Sequence, residues 1–183
     1  GGAPYPEAPV EISGATLEGN EAGVVMRDSA VSLGQSTVTG SQGVGVRSEG
    51  SFATVNDVAV SGTVAGEQPG DGIVVVGSAR WDESDPEVYL GGSTGVQGSA
   101  RYGVLIEGDC RVNVTLELED GALAENAGGD LVVLGAATCV ESSEPVQAGA
   151  GELPGDRGGV AGCDDSGDDP AEDVCDGQDA DCD

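Results

Sequence analysis

The chain has 183 residues, 34 acidic against 6 basic, a formal net charge of −28, and neither lysine nor histidine. Such a charge excludes nucleic acid and anionic membrane surfaces as partners, since both repel it, and no apolar run is long enough for membrane insertion. Hydrophobic residues at 38% suffice for a slim interior of stacked Val, Leu and Ile, whereas aromatics at 3% are too few for a broad aromatic core.

The chain opens on a Pro-rich run, Gly1 to Pro9, which reads with Val10 as a linker or the start of a fragment. From Glu11 onward three short phrases return in fixed order. The first closes on a small polar residue: Ala15-Thr-Leu-Glu-Gly-Asn20, Ser36-Thr-Val-Thr-Gly-Ser41, Val58-Ala-Val-Ser-Gly-Thr63, Thr94-Gly-Val-Gln-Gly-Ser99 and Gly121-Ala-Leu-Ala-Glu-Asn126. The second is Gly23-Val-Val-Met26, Gly43-Val-Gly-Val46, Gly72-Ile-Val-Val75, Gly103-Val-Leu-Ile106 and Asp130-Leu-Val-Val133. The third is Val31-Ser-Leu33, Ala53-Thr-Val55, Val88-Tyr-Leu90, Val112-Asn-Val114 and Thr138-Cys-Val140.

The closing residues are spaced by 21, 22, 36 and 27, a period near twenty with insertions in the later turns, as in solenoids. Short β-branched segments separated by Gly, Asn, Asp and Ser are strand-and-turn grammar, and no helical stripe appears. The spacing predicts an all-β coil of about five rungs over residues 11–140, each rung with up to three strands. At about 4.8 Å per rung it would be a stub about 20 to 25 Å long.

Through the Gly-Val-x-Val and Val-x-Gly-Ser/Asn phrases, residues 11–140 resemble the right-handed, single-stranded parallel β-helix proteins of the pectate-lyase-like group. Many such coils act on polysaccharides, with clustered Asp, His and Lys, or with Arg or Lys beside calcium-binding carboxylates. None of those motifs occurs in this sequence. The dispersed acids Asp28, Glu49, Asp57, Asp71, Glu107 and Asp130 read as solvated residues near strand ends; the one pairing worth testing is Glu49 with Asp71 or Glu107, since adjacent carboxylates raise a pKa.

One insertion, 78–89, interrupts the repeat and carries the only Trp. Trp81, Asp82, Asp85 and Tyr89 form a candidate sugar platform, an aromatic face beside carboxylates; the plainer reading is a loop whose Trp81 covers a strand edge. Asn113-Val-Thr115 fits a glycosylation sequon but falls inside a predicted strand.

After Val140 the phrases stop. Residues 141–162 are a Gly, Ala, Pro and Glu mixture without periodicity, a flexible linker. Residues 163–183 are Cys- and Asp-rich, and the acids crowd toward this end: 14 of the 34 lie in 141–183. Asp179, Asp181 and Asp183 alternate as D-x-D-x-D, which turns successive carboxylates onto one hard cation, and Asp176 lies close by. Oxygen ligands favour calcium over copper or zinc. A Gly after the third Asp and a downstream acid would complete such a loop, so the site as it stands is incomplete and weak, with the alternative of a solvated, disordered tail.

The run Cys175-Asp-Gly-Gln-Asp-Ala-Asp-Cys182-Asp183 resembles the MopE-type Cys/Asp-rich metal-binding repeat of secreted bacterial surface proteins. The match is truncated, and the upstream half around Cys163 is degenerate. Five cysteines indicate an oxidising compartment with one left unpaired. Cys175 and Cys182 are close enough to staple the Asp loop, and Cys110 and Cys139 fall near equivalent places in consecutive rungs, as a disulfide or as two stacked thiols.

The sequence therefore reads as a non-catalytic structural or adhesive β-helix module, extracellular or on a bacterial cell surface, with a weak calcium-binding tail. Its expected partners are extracellular polysaccharide or surface proteins. The alternatives are a non-catalytic portion of a polysaccharide-active lyase or hydrolase, and a passive stalk without ligand.

Overall fold

The computed structural model describes residues 9–77, 87–107, 113–119 and 121–134, and the backbone of 139–142. Every regular element among them is a strand. Sheet A consists of β1 (Val10–Ser13), β4 (Ala30–Gly34), β7 (Phe52–Asn56), β10 (Glu87–Gly92), β13 (Asn113–Leu118) and β16 (Cys139–Ser142). Sheet B consists of β2 (Thr16–Glu18), β5 (Thr37–Thr39), β8 (Ala59–Ser61), β11 (Gly95–Gln97) and β14 (Leu123–Ala124). Sheet C consists of β3 (Ala22–Arg27), β6 (Val44–Glu49), β9 (Asp71–Val76), β12 (Tyr102–Glu107) and β15 (Gly129–Leu134).

Each of the strands β1 to β13 pairs in parallel with the strand three further along the chain, which is the topology of a single-stranded parallel β-helix. The three sequence phrases map onto the three walls: closing phrase on sheet B, Gly-Val phrase on sheet C, Val-x-Leu phrase on sheet A. The segment Val10-Glu-Ile-Ser13 is a sixth copy of the sheet A phrase, in register with Val31 to Gly34.

The interior is built of like-on-like stacks. Leu33, Val55, Leu90 and Leu116 superpose in sheet A, Val38, Val60 and Val96 in sheet B, and Val46, Ile73 and Val104 in sheet C; all are at most 1% exposed. Burying such a side chain stabilises by about 1.5–3 kcal/mol. One inward position breaks the pattern: Ser48 lies between Met26 and Val75, and its hydroxyl is buried without a hydrogen bond.

The walls meet at corners whose backbone explains the phrase chemistry. From sheet B to sheet C the turning residue has positive φ in each rung: Gly19, Gly40, Gly62 and Gly98 at 61 to 66°, then Glu125 at 59°. Left-handed backbone favours Gly, which is why the closing phrase keeps Gly next to last in four of its five copies. Buried hydroxyls tie rungs together at the other corners. Ser36 Oγ accepts from Ala15 N at 3.1 Å and donates to Gly34 O at 2.8 Å; Ser51 Oγ accepts from Ser29 N at 3.3 Å and donates to Glu49 O at 3.1 Å.

A second glycine constraint lies at the start of sheet C. Gly23, Gly45, Gly72 and Gly103 stack, and a Cβ on Gly23, Gly45 or Gly72 would overlap the carbonyl oxygen of the glycine above and a sheet B valine, Val38, Val60 or Val96. In the second rung the stacked residue is thus Gly45, two positions after the phrase-opening Gly43. In the fifth rung Asp130 takes the place, and Asn126 Nδ2 donates to its Oδ1 at 2.8 Å.

The insertions also differ from the sequence reading. Glu87, Val88 and Tyr89 belong to β10, so the excursion is shorter than 78–89, and a second one, 64–70, separates β8 from β9. The outward residues show a further difference between walls. In sheet A they are Glu11, Ser32, Thr54, Tyr89 and Thr115, half-buried or exposed, whereas in sheet C the outward Val74, Leu105 and Val132 are 1–2% exposed.

Candidate functional site

Among the described residues, the charged side chains bonded to other side chains lie on sheets C and A and at their corners. On sheet C, Asp71 opens β9 with its side chain 5% exposed. Arg101, just before β12, donates from Nε to Asp71 Oδ1 at 2.8 Å and from Nη2 to Oδ2 at 2.5 Å, and Tyr102 N adds a third bond at 3.2 Å. The Arg101 guanidinium also lies 4.7 Å from the centre of the Tyr102 ring. Bonding to Asp71 raises the Arg101 pKa above its ordinary value, against the opposing effect of burial. The expectation of a solvated Asp71 is therefore corrected: a bidentate arginine and a backbone N–H satisfy a buried carboxylate that water would otherwise have to solvate.

One rung-pair earlier, Glu49 Oε2 receives Arg27 Nε at 3.2 Å and Arg47 Nε at 3.4 Å. The register places Glu49, Val76 and Glu107 in one row, with Glu49 and Glu107 two rungs apart, about 10 Å. Asp71 lies in a different row, beside Val44, and accepts the Tyr102 N–H. The sequence-suggested carboxylate pair is thus not brought together at neighbouring positions.

On sheet A, Tyr89 Oη donates to Glu117 Oε2 at 2.8 Å, and the ring lies along its own strand over Gly91, where a Cβ would overlap it. The hydrogen bond to Glu117 raises the Tyr89 pKa above 10.0, with burial and the charge of Glu117 adding to it. At the neighbouring corner Asp57, at φ 57°, accepts Ser93 N at 2.9 Å, Ser93 Oγ at 3.0 Å and Asn56 Nδ2 at 3.1 Å. The two bonds from Ser93, the backbone N–H first and the hydroxyl second, lower the Asp57 pKa below 3.8 against a small opposing effect of burial. Nothing local in the sequence marks this clamp, because Ser93 lies 36 residues away; only the rung register reveals it.

Of the candidate sugar platform, Tyr89 is placed on the outer face of sheet A, and Trp81, Asp82 and Asp85 lie outside the described residues. Outside them too lie the calcium candidates Asp176, Asp179, Asp181 and Asp183 and the cysteines Cys110, Cys175 and Cys182. The backbone of β16 sets Cys139 opposite Asn113. Among the described residues no group of three His, Cys, Asp or Glu side chains is arranged to hold a metal ion.

The chain matches no family model, no curated protein and no solved structure.

Proposed function

We propose that this chain is a non-catalytic structural or adhesive module of an extracellular or cell-surface protein, a stiff β-helical spacer followed by a calcium-responsive acidic tail. The observation that carries this reading is the continuous register of three walls over five rungs, in which the described carboxylates with clear roles, Glu49, Asp57, Asp71 and Glu117, hold strands and corners together. Continuous backbone pairing and stacked apolar rows make a coil resist bending, which suits a spacer. The pectate-lyase-like resemblance of the coil and the MopE-type resemblance of the tail support a secreted setting and contact with polysaccharide or surface proteins.

In this reading the tail repeat takes calcium through Asp179, Asp181 and Asp183, with Asp176 beside them. Calcium neutralises carboxylate repulsion and orders the loop, and Cys175 with Cys182 closes it. The test is isothermal titration of chelator-stripped full-length chain with calcium, beside a variant carrying Asp179→Asn, Asp181→Asn and Asp183→Asn. Binding by the natural chain that disappears in the variant supports the tail assignment; no binding by either sinks it. The non-catalytic part is tested separately: new reducing ends or unsaturated products from polygalacturonate or alginate would overturn it.

A further inference from the structure

The outer face of sheet A is polar and seats an aromatic ring. Ser32, Thr54, Tyr89 and Thr115 form its central outward row, one residue per rung at a spacing of about 4.8 Å. Gly34, Asn56, Gly91 and Glu117 form the next row along the strands. Of the three described aromatic residues, Phe52 and Tyr89 lie on this face, whereas Tyr102 stands on sheet C beside the Arg101 guanidinium.

Tyr89 is held in place before anything binds. Its ring lies along β10 over Gly91, where any Cβ would overlap it, and its hydroxyl donates to Glu117 Oε2 at 2.8 Å in the next rung, in an exposed bond. Glycine at 91 gives the ring a seat and the Glu117 carboxylate fixes its tilt, so little side-chain freedom remains to be lost on contact with a ligand. One side of the ring rests on the strand and the other is turned outward. Thr54, exposed, and Thr115, half-buried, flank it one rung to either side.

This arrangement matches the chemistry of a sugar ring. The C–H groups of a pyranose pack on an aromatic side, and the hydroxyls at its margin need donors and acceptors about one rung away. The two threonine hydroxyls supply both, and the Glu117 carboxylate can accept more than the one bond from Tyr89. Charge selects among sugars. Glu11, Glu87 and Glu117 lie on this wall, while the described arginines, Arg27, Arg47 and Arg101, all belong to sheet C or its edge. A uronate chain would meet like charge here, and a neutral chain would not.

We propose that the outer face of sheet A binds a neutral hexose unit of a polysaccharide, stacked on Tyr89, with Thr54, Thr115 and Glu117 engaging its hydroxyls. The proposal rests on the adhesive reading above and adds to it the ligand class and the wall that takes it.

The test is native affinity electrophoresis of the full-length chain through gels carrying a soluble neutral glucan, mannan or galactan, or polygalacturonate. The expected result is retardation by at least one neutral polymer and none by polygalacturonate. Tyr89→Ala should weaken that retardation about ten-fold or more, whereas Tyr89→Phe, which keeps the ring, should retain most of it. Thr37→Ala, on the outer face of sheet B, should change nothing. Thermal unfolding of each variant separates lost binding from lost fold, and Thr54→Ala, at an exposed position, serves as the second variant and should also weaken retardation. Retardation by a neutral polymer that survives both Tyr89→Ala and Thr54→Ala overturns the sheet A site while leaving the adhesive reading standing. Retardation by polygalacturonate alone overturns the neutral class. Retardation by none of the polymers overturns the site and polysaccharide contact together.

Discussion

Sheets A and C are walls of one coil, with the same rung spacing and equally dry inner faces, yet their outer faces differ. In sheet A the strands alternate, as in Phe52-Ala-Thr-Val-Asn56, with Ala53 and Val55 inside and Thr54 in solvent. In sheet C, Gly72-Ile-Val-Val-Val76 is apolar at successive positions, and Ile73, Val74 and Val75 are all buried. Strict alternation marks a wall that faces water on one side, and its loss marks a wall covered on both. The difference shows that a repeat sequence encodes the cover of a coil as well as its turns.

The largest effect that can break this comparison comes from placing a charge at outward positions of both walls. Val74→Lys should cost about 3 kcal/mol or more, because an unpaired charge would be buried, whereas Thr54→Lys should stay within about 0.5 kcal/mol; chemical denaturation measures both. Equal costs would mean that the two outer faces are alike.

Inward positions should show no such contrast. Leu90→Ala in sheet A and Ile106→Ala in sheet C should each cost about 2–5 kcal/mol, since both side chains are fully buried. Next comes the sheet C ion pair. Asp71→Ala should cost about 2 kcal/mol, less than a fully buried pair, because the Arg101 side chain remains 35% exposed and water can reach it. Ser48→Ala should stabilise by about 1 kcal/mol, as it removes a buried hydroxyl that has no hydrogen bond.

The smallest effect is a pH dependence confined to sheet A. Asp57 titrates below its ordinary value in the folded chain, so the unfolded chain binds its proton first as pH falls. Its contribution is present above the unfolded value near 3.8 and is lost as pH drops through the lower folded value. The stability difference between the natural chain and Asp57→Asn should therefore shrink in that acid range; a difference constant down to the lowest pH would contradict the clamp.

The coil was legible because a β-helix repeats its steric demands every turn. The left-handed corner needs Gly at 19, 40, 62 and 98, and the inward stacks need Val or Leu, so the phrases recur in the chain. Less legible was whatever depends on one residue meeting another across rungs. The Arg101 grip on Asp71 and the Ser93 bond to Asp57 link residues 30 and 36 apart, at spacings stretched by the 64–70 and 78–86 excursions. Gly43 imitated the stacking glycine while Gly45 fills the place, because two glycines two apart leave the register open. The tail motif is legible as chemistry alone, since D-x-D-x-D names a ligand set without a scaffold.

The account stands on the parallel rung register, and nuclear Overhauser contacts in the isotope-labelled full-length chain test it most directly. It predicts cross-strand contacts between residues about one rung apart, from the backbones of Val31 to Ala53, Val38 to Val60 and Val24 to Val46. Close Hα–Hα contacts between strands adjacent in sequence, the mark of antiparallel hairpins, would contradict it.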